Sequence, residues 1–460
     1  MWTDTIAAIS TPSGEGGIGI VRMSGENALA ILAKIFQPKK EKNWTQVKSF
    51  TLHLGQVYGK DRKVIDEVLV SVMKGPKSYT GEDVVEINCH GGLISLRLTL
   101  EAVLQAGARL AEPGEFSKRA FLNGRIDLPQ AEAIIDIVRA KSEMGLNSAV
   151  AQLGGNLSHI ISRLRQDLLG VLAAIEAAID FPEEDLDEIT LGQIQATVHK
   201  TLQEMEKLIQ TADRGKLIRE GIHTAIVGRT NVGKSSLLNA LLGENRSIVT
   251  EIPGTTRDTV EEFINIGGFS LKIIDTAGIR ETTDLVEKIG VERTREILEK
   301  ADLVLLVLDV AEGITDEDKR LLQDIKNKKA LILINKIDLP SHRDKKEEIE
   351  DWVKDFPHVF ISAKEDIGIE RLENEIVELI FQGGIQASRE VFITNMRHKE
   401  SLQKASYHLS EVLHGVNRSM TLDFLSIDLK AAWEALGEIS GDTAGEDLLD
   451  RIFSDFCIGK

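Results

Sequence analysis

The segment GRTNVGKS at residues 228–235 restricts the fold of this chain more than any other stretch. It fits the pattern GxxxxGK[ST] and lies between a predicted strand and a predicted helix, the context that a phosphate-binding loop requires. Its glycines let backbone N–H groups wrap around phosphates, Lys234 adds a positive charge, and the Ser235 hydroxyl can coordinate Mg²⁺. The segment therefore predicts a nucleotide-binding α/β unit rather than an ordinary glycine-rich turn.

Two further motifs predict the surroundings of a γ-phosphate. DTAG at 275–278 ends a predicted strand, where Asp275 can hold Mg²⁺ through water and the Gly278 N–H can reach the phosphate. GTTRD at 254–258 is interpreted as a switch loop in which Thr256 is the second hydroxyl ligand of Mg²⁺. The order of these motifs is typical of a nucleotide-dependent switch.

The base is predicted to be guanine. NKID at 335–338 supplies Asp338, whose carboxylate can accept two hydrogen bonds from guanine. Adenine lacks that donor pair, and an unpaired carboxylate would cost on the order of 10³-fold in selectivity. SAK at 362–364 would present a backbone N–H to the guanine oxygen. The residues predicted to contact GTP are Asn231, Val232, Gly233, Lys234, Ser235, Ser236, Thr250, Glu251, Ile252, Pro253, Gly254, Thr255, Thr256, Asp275, Thr276, Ala277, Gly278, Asn335, Lys336, Asp338, Ser362, Ala363 and Lys364.

The predicted hydrolytic machinery differs from that of Ras-like proteins. They follow DTAG with a glutamine that positions the attacking water, whereas this chain has Ile279, which cannot hydrogen-bond through its side chain. Another group must therefore orient the water. The Asn231 amide lies inside the phosphate loop and could help to hold a monovalent cation beside the β- and γ-phosphates.

Composition narrows the class of protein. A chain of 460 residues exceeds one core, so roughly two to four domains are expected. No apolar run approaches the roughly 18 residues of a membrane helix. The chain has two cysteines, Cys89 and Cys457, which cannot form a disulfide framework, and this low cysteine content favours a location in the reducing cytosol. The net charge of −18 argues against binding a polyanion through bulk charge. Neither a membrane nor DNA is predicted as a partner.

Residue patterns predict a multidomain chain. Short β-rich runs alternate with glycine-rich turns in the N-terminal part, helical periodicity follows, and an α/β alternation interrupts it before helical periodicity returns. We predict an α+β N-terminal domain, an all-α helical domain, and an inserted P-loop domain with a doubly wound, mostly parallel sheet. The predicted boundaries are 1–123 for the first domain, 124–217 and 383–460 for the helical domain, and 218–382 for the insertion.

The motifs also carry a family resemblance. Beyond the nucleotide motifs, the specific matches are GGIGIVR at 16–22, SYTGEDVVEI at 78–87, HGG at 90–92, PGEFSKRAFLNGRIDL at 113–128 and CIGK at 457–460. Along nearly its whole length the chain resembles the bacterial MnmE (TrmE) family of tRNA modification GTPases. The resemblance implies a folate-binding N-terminal domain, similar to the one-carbon aminomethyltransferase fold, through which the chain forms a homodimer. It also implies a flavoprotein partner, MnmG (GidA), and a potassium-activated GTPase that helps to build an aminomethyl or carboxymethylaminomethyl group at C5 of the wobble uridine of certain tRNAs.

The resemblance assigns roles to individual residues. Arg22, Glu86, Arg125 and Lys460 match residues around 5-formyltetrahydrofolate, and Asn231, Thr250, Ile252 and Thr255 match a potassium site. Glu287 matches a catalytic glutamate that acts through water. Lys234 at the phosphates and Cys457 in the C-terminal tail are the other candidate catalytic residues.

Blander interpretations stay open from the residues alone. Arg22 and Glu86 could form a simple ion pair, Glu287 could stabilise a helix N-terminus, and Cys457 could be a small packing residue. Two other functions are alternatives: a ribosome-assembly switch of the Era or EngA type, and a folate enzyme whose GTPase is only regulatory. The first predicts a basic RNA-binding domain, which this acidic chain does not indicate.

Overall fold

The computed structural model describes residues 4–12, 14–40, 43–180, 187–245, 262–274, 295–339, 343–381 and 391–460. Its contacts divide the chain into two compact units. The first unit comprises Met1–Ile135, Gln152–Leu202 and Ser401–Lys460, and the second comprises Asp136–Ala151 and Gln203–Glu400.

The first unit is built on a mixed sheet. Its strands within the described residues are β1 (Ile6–Ile9), β2 (Gly16–Ser24), β3 (Phe36–Pro38), β4 (Thr51–Tyr58), β5 (Val64–Met73), β6 (Val84–Gly91) and β7 (Arg109–Leu110). They lie in the order β3-β4-β5-β6-β2-β1-β7, and only the β1–β7 pair among them is parallel. A 3₁₀ turn, Trp44–Gln46, precedes β4.

One face of this sheet is covered by two helices, α1 (Ala28–Ile35) and α2 (Leu93–Gln105). The alternate residues Val68, Val70 and Val72 of β5 point into the same core as Leu32 of α1 and Val103 of α2. This alternation is what a half-covered strand requires, because successive side chains point to opposite faces. The predicted α+β class of the N-terminal part is confirmed.

Helices form the rest of the first unit. Those that lie wholly or partly within it are α3 (Glu115–Leu122), α4 (Leu128–Arg139), α6 (Asn156–Asp180), α7 (Asp187–Glu220), α12 (Met396–Asn417), α13 (Leu422–Ser440) and α14 (Glu446–Ser454). The buried residues Leu157, Ile161, Leu164 and Leu168 recur every three or four positions on α6, the spacing that buries one stripe of a helix. α6 packs against α13.

The second unit contains a doubly wound sheet. Its strands are β8 (Ile222–Val227), β9 (Glu262–Ile266), β10 (Phe269–Ile273), β11 (Leu303–Asp309), β12 (Ala330–Asn335) and β13 (His358–Phe360), in the order β13-β12-β11-β8-β10-β9. The helices α5 (Glu143–Leu153), α8 (Lys234–Asn245), α9 (Asp316–Asp324), α10 (Arg343–Val353) and α11 (Ile369–Phe381) accompany it, and residues 295–300 are also helical.

The central strands of this sheet are apolar and buried on both faces. Every residue of β11 and β12 is buried, and the side chains of β11 alternate between two separate core clusters. Parallel strands covered by helices on both sides show this pattern. Only the β9–β10 pair is antiparallel among the described pairs. The predicted doubly wound, mostly parallel sheet is confirmed.

Helix α5 is joined to the edge of this sheet although it precedes the sheet in the chain. The Met144 N–H donates to the Gly268 carbonyl at 3.1 Å, and the Met144 side chain packs against the core beneath. The Lys141 ammonium lies 5.7 Å from the centre of the Phe263 ring. The β9–β10 hairpin is thereby attached to a helix from an earlier part of the chain.

Among the helices that the structure describes, none is both long enough and apolar enough to span a membrane.

A buried arginine in the first unit provides a stability prediction. Arg119 is fully buried, and its guanidinium donates to Asp4 and Glu115 at 2.8 and 3.0 Å. Arg119→Met should lower the free energy of unfolding by about 3 kcal/mol, because it removes one of the two arginines, Arg119 and Arg109, that pair with the buried Glu115 carboxylate. Urea and thermal unfolding of the full chain would measure this change.

The matched control is Arg97→Met, since Arg97 pairs with Glu101 at 2.9 Å on an exposed helix face. It should change stability by less than about 1 kcal/mol. Equal effects of the two substitutions would contradict the assigned role of Arg119.

Candidate functional site

The phosphate loop connects β8 to α8 through a tight turn. Gly228, Asn231 and Gly233 adopt left-handed backbone conformations, with φ of +143°, +61° and +103°. A Cβ on Gly228 would lie 2.4 Å from the Val307 carbonyl oxygen, and one on Gly233 would lie 2.3 Å from Nδ2 of Asn335. Both positions therefore require glycine, and the loop is pressed against the carboxyl ends of the central strands.

Lys234 begins α8 and reaches back across the loop. Its ammonium donates to the carbonyl oxygens of Gly228 at 2.7 Å and Arg229 at 2.6 Å. Burial lowers its pKa. Ser235 and Ser236 are exposed in the first turn of this helix. A lysine, hydroxyl groups and a helix N-terminus lie together at the loop, and this combination suits anionic phosphates.

Asn335 connects the phosphate loop to the loop that follows β13. Its buried side-chain amide donates from Nδ2 to the Val232 carbonyl at 2.8 Å and accepts the Ala363 N–H at Oδ1 at 3.0 Å. Since each bond satisfies a buried backbone group, one amide fixes the separation of the two loops. The described residues of the phosphate loop and of the base-side loops are thus brought to one edge of the sheet.

Asp338 lies beside this bridge. The Ser362 hydroxyl donates to its Oδ1 at 2.6 Å, and this bond holds the pKa of Asp338 below its ordinary value. The carboxylate is therefore ionised at neutral pH and suited to accept hydrogen bonds from N–H groups. Lys364, by contrast, is exposed and pairs with Glu365 at 3.1 Å.

Lys336 takes a left-handed conformation, with φ of +66°, and its ammonium lies 2.6 Å from Oδ2 of the buried Asp309. Sequence reasoning missed Asp309, although it ends the apolar run LVLLVLD. A carboxylate at the carboxyl end of a predicted parallel strand was the available signal. The side chain of Arg229, within the phosphate motif itself, was also missed.

Several predicted residues lie outside the described residues, so their roles stay predictions. They are Thr250, Glu251, Ile252, Pro253, Gly254, Thr255, Thr256, Asp275, Thr276, Ala277, Gly278 and Glu287. The structure describes the phosphate loop, the base-side residues and the helix that begins at Lys234.

A second cluster lies in the first unit, where Arg22, Glu86 and Ser71 face one another across β2, β6 and β5. Nε and Nη2 of Arg22 lie 2.9 and 2.8 Å from Oε1 of Glu86. Both side chains are about four-fifths buried, with 18% and 20% of their surfaces exposed. Arg22 and Glu86 form the ion pair that the sequence left open as the alternative interpretation, and this pair orients the guanidinium.

The C-terminal tail folds onto this pair. The Gly459 carbonyl accepts from Nη1 of Arg22 and from the Ser10 hydroxyl, both at 3.1 Å. A Cβ on Gly459 would lie 2.3 Å from the Ile9 carbonyl oxygen. Lys460 is thereby held near Arg22, and burial together with that like charge lowers its pKa. Cys457 is exposed, so its thiol is not a packing group.

Aromatic side chains flank the same guanidinium. The centres of the Tyr79 and Phe116 rings lie 5.3 and 5.7 Å from Cζ of Arg22. Burial raises the pKa of Tyr79, while the charges of Arg22 and Arg125 oppose that rise. Arg22, Glu86 and the C-terminal tail that carries Lys460 therefore lie together, whereas the role of Arg125 stays a prediction.

Cys89 and His90 do not form a metal site. Burial raises the pKa of the Cys89 thiol to about 11, and His90 Nδ1 lies 2.7 Å from Oδ1 of Asp66. Among the described residues, no group of three or more His, Cys, Asp or Glu side chains could hold a metal ion.

Together, the sheet, the phosphate loop and the base-side residues define a P-loop GTP-binding protein with further domains. The family model for the GTP-binding protein TrmE N-terminus matches residues 5–125, and the model for the MnmE helical domain matches residues 128–457. The chain belongs to the MnmE family of tRNA modification GTPases.

Full-length relatives agree with this assignment. The chain is 54% identical to the tRNA modification GTPase MnmE of Desulforamulus reducens over all of both chains, and 50% identical to that of Alkaliphilus oremlandii over 99% of each. A solved structure of Aquifex aeolicus Era bound to GDP·AlF4⁻ is 30% identical, covering 41% of this chain and 66% of that one, with a TM-score of 0.28.

The carboxylate of Asp338 provides a test of base selection. Asp338→Asn replaces an acceptor by an amide that can pair with the additional oxygen of xanthine, so the preference should move from GTP toward XTP by at least about 10-fold. Competition binding with the two nucleotides would measure the change. Asp355→Asn, at an exposed position of the same unit, should leave the preference unchanged. If Asp338→Asn retains the full preference for GTP, this residue does not read the base.

Proposed function

We propose that this protein is a potassium-activated GTPase that modifies the wobble uridine of certain tRNAs. It works with an MnmG-type flavoprotein and uses a folate-borne one-carbon unit to add an aminomethyl or carboxymethylaminomethyl group at C5. The GTPase part of the proposal is carried by the Asn335 bridge, which holds the phosphate loop and the base-side loop together. The tRNA part comes from the full-length similarity to relatives named tRNA modification GTPases. The proposed location is the cytoplasm.

The described residues support the binding of GTP and Mg²⁺, which must precede hydrolysis. Lys234 would move from the carbonyl groups that it now contacts to the negative charge of the outer phosphates, and Asp338 would accept from guanine. The Ser235 hydroxyl in the exposed first turn of α8 fits Mg²⁺, which prefers oxygen ligands. Thr256 is proposed as the second protein hydroxyl for that ion, which would neutralise charge between the phosphates.

The remaining catalytic groups are proposed from the sequence. Ile279 cannot orient the attacking water, so Glu287 is proposed to do so, acting through a second water. Asn231, Thr250, Ile252 and Thr255 are the proposed potassium ligands. The left-handed backbone and exposed side chain of Asn231 support this assignment, because they keep its amide at the surface of the phosphate loop.

Potassium dependence is a direct test. GTP turnover should be at least about 10-fold faster in KCl than in matched NaCl, since a cation beside the β- and γ-phosphates offsets the charge of the transition state. Asn231→Ala should remove most of that difference. Asn327→Ala, at an exposed position of the same unit, is the control. Equal rates of the unmodified protein in the two salts would refute activation by potassium.

The folate site is proposed at the second cluster. The cations of Arg22, Arg125 and Lys460 would attract an anionic folate, and Glu86 would accept hydrogen bonds from its N–H groups. The residues fit such a ligand because Arg22 and Lys460 bring like charges together, and a bound anion would offset their repulsion. The aromatic rings of Tyr79 and Phe116 add planar apolar surface beside the guanidinium.

The tail provides the corresponding prediction. Removal of residues 457–460 should weaken binding of 5-formyltetrahydrofolate by at least about 10-fold, because it removes the Gly459 anchor and the Lys460 ammonium. Modified tRNA nucleosides should be lost, whereas GTP turnover should persist. Calorimetry with the folate and mass spectrometry of tRNA nucleosides would measure these effects.

Cys457→Ser tests the role of the thiol separately from the role of the rest of the tail. Loss of modified nucleosides with normal folate binding would indicate a chemical role for the exposed thiol. Normal nucleoside levels would reject that role, and unchanged folate binding after the deletion would refute the proposed site.

A homodimer is proposed through the first unit. Leu54 and Leu69 lie opposite each other on the outer face of β4 and β5, and Leu52 beside them has 66% of its surface exposed. An apolar patch on an uncovered sheet face favours association with another sheet. A second copy would cover this face. The two P-loop domains are proposed to pair across the dimer during turnover.

A further inference from the structure

The segment that begins at the last residue of β11 contains no nucleotide motif, yet it contacts both halves of the GTP site. Asp309 at its start holds Lys336 of the base-side loop at 2.6 Å. A few residues later, Glu312, Gly313 and Asp318 surround the side chain of Arg229, which belongs to the phosphate loop. The contact with Arg229 is the more informative because no nucleotide motif accounts for that side chain.

The Arg229 guanidinium is held at three points. Its Nε lies 2.9 Å from Oδ2 of Asp318, its Nη1 donates to Glu312 at 2.9 Å, and its Nη2 donates to the Gly313 carbonyl at 3.5 Å. The arginine side chain is only 14% exposed. Such a fork fixes a planar group in both position and orientation.

The main partner of this arginine is itself rigid. Asp318 is fully buried in the first turn of α9, where its Oδ2 accepts the N–H and hydroxyl of Thr315 at 3.0 and 2.8 Å. This arrangement is a capping box, which anchors the carboxylate to the start of the helix. The arginine is therefore attached to a helix end rather than to a flexible side chain.

The pair of Arg229 and Asp318 acts directly on the phosphate loop. The carbonyl group of Arg229 accepts the Lys234 ammonium at 2.6 Å, so one residue joins the buried carboxylate to the phosphate-binding lysine. We propose that Arg229 is a positioning residue that sets the phosphate loop for the β-phosphate through its buried pair with Asp318. It does not contribute to base recognition, which lies on the other side of the Asn335 bridge.

The test compares nucleotides that differ by one phosphate. Arg229→Gln should weaken binding of GDP by about 10- to 100-fold, because a charge-assisted anchor of the phosphate loop is lost. Affinity for GMP should change by less than about 3-fold, and the preference for GTP over XTP should stay unchanged. Arg320→Gln, at an exposed position of the same helix α9, is the matched control and should alter none of these values. Equal weakening of GDP and GMP would overturn the proposal.

A double variant separates positioning from stability. Arg229→Met with Asp318→Asn removes both buried charges while an amide oxygen remains to accept the capping bonds of Thr315. The midpoint temperature of thermal unfolding should be closer to that of the unmodified protein than the midpoint of Arg229→Met alone. The affinity for GDP should nevertheless stay low. Recovery of GDP affinity together with stability would show that Arg229 is only structural. The inference rests on the proposed GTP binding, which GDP titration of the unmodified protein tests separately.

Discussion

The nucleotide site depends on the two hydrogen bonds made by the amide of Asn335. Parallel strands bring the ends of β8, β12 and β13 to one edge, but they do not fix the distances between the loops that follow. The amide does so by binding the Val232 carbonyl and the Ala363 N–H at the same time. Because both partners are backbone groups, the distance between the phosphate loop and the loop after β13 does not depend on the identity of the side chains at Val232 and Ala363.

At both sites of the chain, a cationic side chain donates to a backbone carbonyl group. Lys234 donates to carbonyl groups of its own loop, and Arg22 donates to the carbonyl group of Gly459. Lys234 is thereby held by neutral oxygens rather than by a carboxylate. Such a cation stays available to an anion, because neutral acceptors compete for it less strongly than carboxylates do. Arg22 differs in also holding Glu86, so its charge is partly committed.

Much of the fold follows from local sequence patterns, and the sites follow only in part. The apolar runs of β11 and β12, the period of α6 and the phosphate motif each contain their own signal, and the structure agrees with all three. Strand β9 lacked such a signal, because the run Glu262–Ile266 is short and its partner is defined only by pairing. The Arg22–Gly459 contact joins residues 437 positions apart, and the partners of Arg229 begin 83 positions away. Neither could be inferred from spacing, since both depend on how complete elements pack.

The attachment of Met144 to Gly268 bears on how the nucleotide-binding part can be isolated. Residues 136–151 belong to the same compact unit as the sheet, although they lie well before β8 in the chain. A fragment that starts at residue 218 would lose the N–H donor of Met144 and uncover the apolar core beneath it. The β9–β10 hairpin would then lack its helical support, and properties measured on such a fragment would describe a looser sheet edge than the intact chain has.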